Sequence, residues 1–251
     1  MNNFSCHPSA AHPRPLVLLE GLGGNSDAWA YMAPRLIDAG YCVFTLNYGV
    51  DPRTAWFPIP PEGTVAMEQS SHELAAFVDQ VLAATGAGKV DLVGHSEGTV
   101  MPRYYLMRLG GSAKVRRFVA LAPLWRGSEV GEFAMLRDLL APLGLSGPVL
   151  NTVASYCAAC TEVLRGSDYL NALNADGEAV AGIDHTNIVT RTDELVSPYT
   201  SGIMRDGGTN IVLQDVCPTD LSEHIALVFD PVVAQLVLNA LDPEHAKPVQ
   251  C

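Results

Sequence analysis

Basic residues are scarce in this chain of 251 residues, where 15 Lys plus Arg face 27 Asp plus Glu and leave a formal net charge of -12. Lys and Arg form no run, so a phosphate backbone is repelled and no nucleic-acid partner is expected. Long hydrophobic runs are also missing. No stretch approaches the roughly 20 apolar residues of a membrane helix, and no transmembrane segment is expected. The opening MNNFSCHPSAAHPRP lacks an apolar signal region, so the chain reads as a soluble protein that has lost a signal peptide or never had one. No polar or repetitive tract is long enough for a disordered or solenoid protein.

Cysteine is sparse but even in number, at six. That suits disulfides and export, yet reduced cytosolic proteins show even counts too. Cys157 and Cys160 form a C-x-x-C with no second pair and no His cluster nearby, which argues against a metal site or a redox pair. With 48% hydrophobic and 17% charged residues, the chain can build a large core, and its length fits one domain over 1–251.

Apolar runs at Leu16 to Leu19 and Cys42 to Leu46 bracket a helical pattern of Trp29, Met32, Ala33, Leu36 and Ile37 that ends near Gly40. Ser70 and Glu73 have capping-box spacing ahead of a helical face of Leu74, Phe77, Val78, Val81 and Leu82, closed by Gly86. Further strands are expected at Val90 to Val93, Phe118 to Leu121, Ile188 to Thr190 and Ile211 to Leu213, with a helix containing Tyr104 to Leu109 between the first two. Asp230 and Pro231 open a last helix lined by Val232, Val233, Leu236, Val237, Ala240 and Leu241. Strands alternating with amphipathic helices predict an α/β architecture, a mostly parallel sheet covered on both faces. Leu124 to Leu164 breaks this rhythm. Its apolar cluster (Phe133, Met135, Leu136, Leu139, Leu140, Leu143, Leu145), broken by Gly144, Gly147 and Pro148, reads as a small insertion above the sheet, either a surface helix with a loop or a cap over a substrate.

Within VDLVGHSEGTV, the frame Gly94-His95-Ser96-Glu97-Gly98 falls between a strand and a helix. In that context a Gly-x-Ser-x-Gly frame makes a sharp turn that presents the serine, and the helix N-terminus offers N–H groups to a developing oxyanion. A serine hydroxyl needs a base and an orienting acid to become a nucleophile, and in this order of elements the acid comes first. His224 lies after the last strand in PTDLSEH, whereas His245 sits in a polar tail and His185 precedes the acid. Asp193 follows an apolar strand in NIVTRTDELVSP; Asp206, Asp215, Asp220 and the adjacent Glu194 remain as alternatives.

The segments CHPSAAHPRPLVLLEG, GYCVFTLNYG, TGAGKVDLVGHSEG, MPRYYL, VTRTDELVSPY and LQDVCPTDLSEHIALVFDP resemble the secreted actinobacterial lipases of the class 2 α/β-hydrolase lipase family, in the same order from near Cys6 to near Leu241. The resemblance implies the α/β-hydrolase fold and hydrolysis of triacylglycerols or other carboxylic esters by Ser96, Asp193 and His224, without a cofactor or metal. It also implies export, a Cys6–Cys42 disulfide, and a disulfide from Cys217 to Cys157 or Cys160, with Cys251 beyond the matched region. The substrate partner is then a small-molecule or lipid ester, with transient contact to a lipid interface.

Two positions depart from the family. Glu20-Gly21 stands where its members usually read His-Gly, and Glu97 replaces a common glutamine. The backbone N–H groups of Leu22 and Glu97 can still form the oxyanion hole, because that role needs no side chain. An ionised Glu20 facing the oxyanion would oppose catalysis, so it is expected to point away, pair with a cation or carry a proton. The same two carboxylates motivate the rival reading of a catalytically silent binding protein on a hydrolase scaffold. An acyltransferase, or a hydrolase of polyesters or lactones, would share the triad.

Overall fold

The computed structural model describes residues 1–129, 139 and 141–251. Strands β1 (Leu16–Leu19), β2 (Val43–Thr45), β3 (Val90–His95), β4 (Val115–Leu121), β5 (Asp184–Val189) and β6 (Thr209–Val212) form one sheet in the order β2-β1-β3-β4-β5-β6. All its pairings are parallel. The described helices are α1 (Met32–Asp38), α2 (Met67–Thr85), α3 (Glu97–Arg108), α4 (Ser146–Tyr156), α5 (Ala158–Glu162), α6 (Asp168–Asn174), α7 (Leu213–Val216) and α8 (Pro231–Leu241).

Because β1 and β3 are buried on both faces, they carry apolar residues in near-continuous runs rather than alternation. Leu16 and Leu18 join Val43 and Val93 in the core layer shared with α1 and α8. Val17 and Leu19 point the other way, with Phe44 and Leu92, into the layer shared with α2 and α3. This is the α/β-hydrolase architecture expected from the sequence.

Local signals hold unevenly. Asp230 caps α8 as expected, its Oδ1 accepting from the amides of Val232 at 2.6 Å and Val233 at 3.0 Å. The capping box at Ser70 and Glu73 does not form, because α2 begins a turn earlier at Met67. Its first amide donates instead to Oε2 of Glu162 at 2.8 Å, a carboxylate brought in by tertiary packing. Trp29 lies in a separate 3-10 turn, Ser26–Trp29; the break shifts the helical phase and leaves Ile37 43% exposed while Met32, Ala33 and Leu36 are buried. The last strand ends at Val212, and Leu213 opens α7.

Of the apolar cluster in the 124–164 segment, Phe133, Met135, Leu136 and Leu140 lie outside the described residues, as does the side chain of Leu143. Leu139 and Leu145 are exposed. The far end of the segment returns to the sheet top, where Ser128 bridges to Leu164. Cys6 bonds to Cys42 as expected. The other pairing is corrected: Cys217 bonds to Cys251, and Cys157 bonds to Cys160. With two residues between them, Cys157 and Cys160 reach each other across the start of α5, and the C-terminal tail carries Cys251 to Cys217.

Candidate active site

The C-terminal ends of the adjacent β1 and β3 carry Gly21, Leu22, Ser96 and Glu97, the loop after β5 carries Asp193, and the segment after β6 and α7 carries His224. Ser96 caps α3 with φ 54° and ψ -122°, a strained backbone for a residue with a side chain, of the kind that collects at functional sites. The flanking glycines are demanded by space. A Cβ on Gly94 would lie 2.0 Å from the carbonyl oxygen of Gly98, and one on Gly98 would lie 2.3 Å from that of Leu19. Strand and helix thus touch backbone to backbone, and Ser96 is thrust outward at the turn between them.

The structure brings the candidate base His224 and the candidate acid Asp193 together. His224 Nδ1 lies 3.0 Å from Oδ1 and 3.1 Å from Oδ2 of Asp193, and both side chains are buried. Asp193 is itself aimed by its turn, where Oδ1 accepts from the amides of Leu195 at 3.0 Å and Val196 at 2.7 Å. The acid loop also grips the histidine loop, since Thr190 and Thr192 each donate to the carbonyl of Ser222 at 2.8 Å. Ser96 and His224 line one cavity of about 250 Å³ with Gly21, Leu22, Leu124, Val163, Leu164 and Leu195 among its walls. Among the described residues no hydrogen bond closes between Ser96 Oγ and the His224 ring; such bonds commonly tighten only around a substrate.

The alternative residues have other duties. Asp206 accepts from the amides of Glu178 and Ala179, Asp215 pairs with Arg191, and Asp220 bonds the amide of Ser222. His185 is buried and accepts from the amide of Val180, and burial presses its pKa down to about 4. His245 is exposed beside Asp242.

Leu22 and Glu97 both border the cavity, and among the described residues neither amide donates to a protein acceptor. Gly21 lets the loop approach the serine, because a Cβ there would fall 2.8 Å from Ser96 Cβ. The side chains of Glu20 and Glu97 are buried at 1% and 0% exposure, so the question of their charge has a structural answer. Glu20 lies beside Glu62, and burial pushes its carboxyl up to about 8, with the nearby Glu62 charge adding to the effect. Glu62 is itself pushed up to about 7 by burial, with the Asp27 and Glu73 charges adding to it. Burial holds Glu97 well above the usual carboxylate range, helped by Glu162 and Glu20. Its carboxyl packs against Gly63, where a Cβ would meet Oε2 at 2.6 Å. Burial thus favours the protonated, uncharged form of the acids at positions 20 and 97.

Three participants were not legible as such. Glu62 anchors the loop under Leu22, since its carbonyl accepts from the amide of Gly23 at 2.8 Å; nothing in a proline-rich loop signals this. His95 and Glu194 contact the main chain of His224, and their adjacency to Ser96 and Asp193 was the available clue. Among the described residues no group of three or more His, Cys, Asp or Glu is placed to hold a metal ion, and no helix is long and apolar enough to cross a membrane.

The family model of the alpha/beta hydrolase fold matches residues 14–148. The chain belongs to the α/β-hydrolase family. This α/β-hydrolase is 31% identical over 183 residues to a triacylglycerol lipase of Pseudarthrobacter phenanthrenivorans, which covers 69% of the chain and 50% of that relative. A triacylglycerol lipase of Burkholderia plantarii is also 31% identical over 183 residues, covering 69% and 45%. Lipase B of Pseudozyma antarctica is 23% identical over 218 residues, covering 84% and 56%. The hydrolase thus spans about half the length of these relatives. Among solved structures it superposes on Aspergillus fumigatus lipase B with a TM-score of 0.71 at 17% identity, covering 98% of the chain and 57% of that one. Mature Bacillus licheniformis lipase gives a TM-score of 0.65 at 17% identity, covering 94% of each. At that identity the likeness speaks for the fold.

Proposed function

We propose that the chain is a serine-dependent carboxylic ester hydrolase of the lipase or esterase type, organised as one domain over 1–251. The observation that carries this reading is the convergence on one mainly apolar cavity of Ser96 at its strained turn, the His224 imidazole bonded to Asp193, and two unengaged amides. Ser96 Oγ attacks the ester carbonyl while His224 Nε2 takes its proton. The negative charge passes to the carbonyl oxygen, where the amides of Leu22 and Glu97 receive it. Collapse of the tetrahedral intermediate expels the alcohol, protonated by His224, and leaves an acyl group on Ser96. Water activated by His224 then attacks the acyl-enzyme and releases the acid. Asp193 holds the tautomer and stabilises the imidazolium that forms in each half. No cofactor takes part.

The substrate class is an acyl ester whose chain lies against Leu124, Val163, Leu164 and Leu195. The named relatives support a lipase-like substrate, and the sequence segments quoted above support the secreted class 2 lipase group. Three disulfides support an oxidising, extracellular location. The silent-binder reading rests on two carboxylates beside the oxyanion position, and burial that favours their neutral form supports the enzyme over it.

The reading is tested by treating the protein with an organophosphonate p-nitrophenyl ester and locating the adduct by mass spectrometry. We expect one phosphonyl group on Ser96, loss of turnover of p-nitrophenyl acyl esters, and neither in Ser96→Ala. Failure of activated esters and phosphonates alike to modify the wild-type protein overturns it.

A further inference from the structure

We propose that His95 is a positioning residue that ties the main chain of His224 to the nucleophile strand, and that Glu194 completes the hold from the acid loop. This rests on the reading of Ser96 and His224 as nucleophile and base. His95 is the last residue of β3, one position before Ser96, and its ring lies 4.8 Å from the His224 ring between centroids. Its Nε2 is 3.0 Å from the carbonyl oxygen of His224. A carbonyl has no proton to give, so Nε2 carries the hydrogen and donates. On the other side of the same residue, the amide of His224 donates to Oε2 of Glu194 at 3.1 Å. Both main-chain polar groups of His224 are thereby engaged by side chains, one from the strand of the nucleophile and one from the turn of the acid. The ring is fixed at a third point through Nδ1 and Asp193.

The remaining face of His95 serves the oxyanion loop. Its Nδ1 lies 3.3 Å from where a Cβ on Gly21 would stand, so the ring fills the gap between the loop and the base. The ring stays neutral across the working pH range, because burial, with His224 beside it, presses its pKa down to about 3. With a single ring proton committed to Nε2, the tautomer is fixed and the contact does not flicker with pH. The charged or titratable groups facing His95 are His224 and Asp193. His95 touches neither proton nor substrate in the scheme above. It sets where the base stands, and a misplacement of about 1 Å in such a site can cost about 100-fold in rate.

The test compares His95→Leu, which deletes the donor, with His95→Gln, which keeps a side-chain N–H, and Glu194→Leu with Glu194→Gln, which keeps an acceptor. Turnover of a short p-nitrophenyl ester is read as kcat and KM separately, and the low-field proton of the His224–Asp193 bond is followed by NMR. We expect His95→Leu to lower kcat about 10-fold to 100-fold with KM little changed, and to broaden or lose the low-field proton. His95→Gln should recover most of the loss. Glu194→Leu should lower kcat less, because Glu194 is exposed, with recovery in Glu194→Gln. Wild-type kcat in His95→Leu and in Glu194→Leu, with Ser96→Ala inactive in the same assay, overturns the hold alone. Activity in Ser96→Ala overturns the parent reading instead. If His95→Leu does not fold, the Glu194 pair decides: unchanged kcat and an unchanged low-field proton in Glu194→Leu overturn the proposal.

Discussion

The carboxyl groups of Glu20 and Glu62 are neighbours behind the loop of Leu22, both raised in pKa by burial, and two acids buried so close are tolerated while they keep their protons. Both folded pKa values, about 8 and about 7, lie above the ordinary carboxylate value. The folded state therefore keeps protons that the unfolded state has released. The pair's contribution to stability is complete below about pH 4.5 and fades as pH rises through about 7 and then about 8. The charges of Asp27 and Glu73 raise Glu62 further and add to this loss.

A pH series of thermal unfolding should show that effect. In Glu20→Gln the fall in Tm between pH 5 and 9 should be shallower than in the wild type, and the decline of kcat/KM above about pH 8 should move upward, because no carboxylate forms behind Leu22. Parallel profiles for the two proteins would contradict a raised pKa at Glu20. The acid side runs the other way. His95 and His185 are depressed to about 3 and about 4, so their contribution is present above about pH 6.5 and is lost as pH falls toward those values.

Asp193→Asn should be the most damaging isosteric change in the acid loop. The amide can still accept from Leu195 and Val196, so the fold should survive. It would present the wrong partner to His224 Nδ1 and favour the wrong tautomer, a defect worth about 10⁴-fold in kcat in enzymes of this kind. Asp206→Asn loses part of a bond set to Glu178 and Ala179; it should lower Tm with kcat near wild type. Steady-state kinetics of the pair decides, and the opposite ranking would move the acid.

What was readable in advance was local or ordered along the chain. The doubly buried runs of β1 and β3, the cap at Asp230 with Pro231, and the Gly-x-Ser-x-Gly frame at the turn of Ser96 each leave a mark within a few residues. What escaped depends on distant segments meeting. Glu162 caps a helix that starts 95 positions earlier, which no capping box can reveal. The partner of Cys217 was misassigned because family likeness carried no information about Cys251. Glu62 became important only when the fold buried it against Glu20. The charge of Glu20 and Glu97 was undecidable in one dimension, since burial sets it.

Gly21→Ala tests the tight approach of the oxyanion loop. The added Cβ would fall 2.8 Å from Ser96 Cβ and 3.4 Å from Oγ, so either the loop withdraws its Leu22 amide or the serine turns. A loss of about 100-fold in kcat is expected. Gly88→Ala, where nothing lies within 4 Å, serves as the control and should keep wild-type kinetics. Equal kcat in both variants would remove Leu22 from the oxyanion hole.

Chain-length preference should be set by the wall that α5 and its following turn build over the sheet. Cys160, Val163 and Leu164 line the cavity together with Leu195 and Val196, and Cys160 is tethered to Cys157, which restrains this wall. Val163→Trp adds bulk to a cavity of about 250 Å³ and leaves the residues at 22, 96, 97 and 224 unchanged. For acetate esters kcat/KM should change about 3-fold or less, while for longer acyl chains it should fall 10-fold or more, since overpacking forces such side chains off their rotamers. The measurement is a series of p-nitrophenyl esters of increasing acyl length, run on both proteins with the phosphonate adduct as an active-site titration. A uniform loss across the series would show that this wall meets the p-nitrophenyl side that all the substrates share and would place the acyl chain elsewhere.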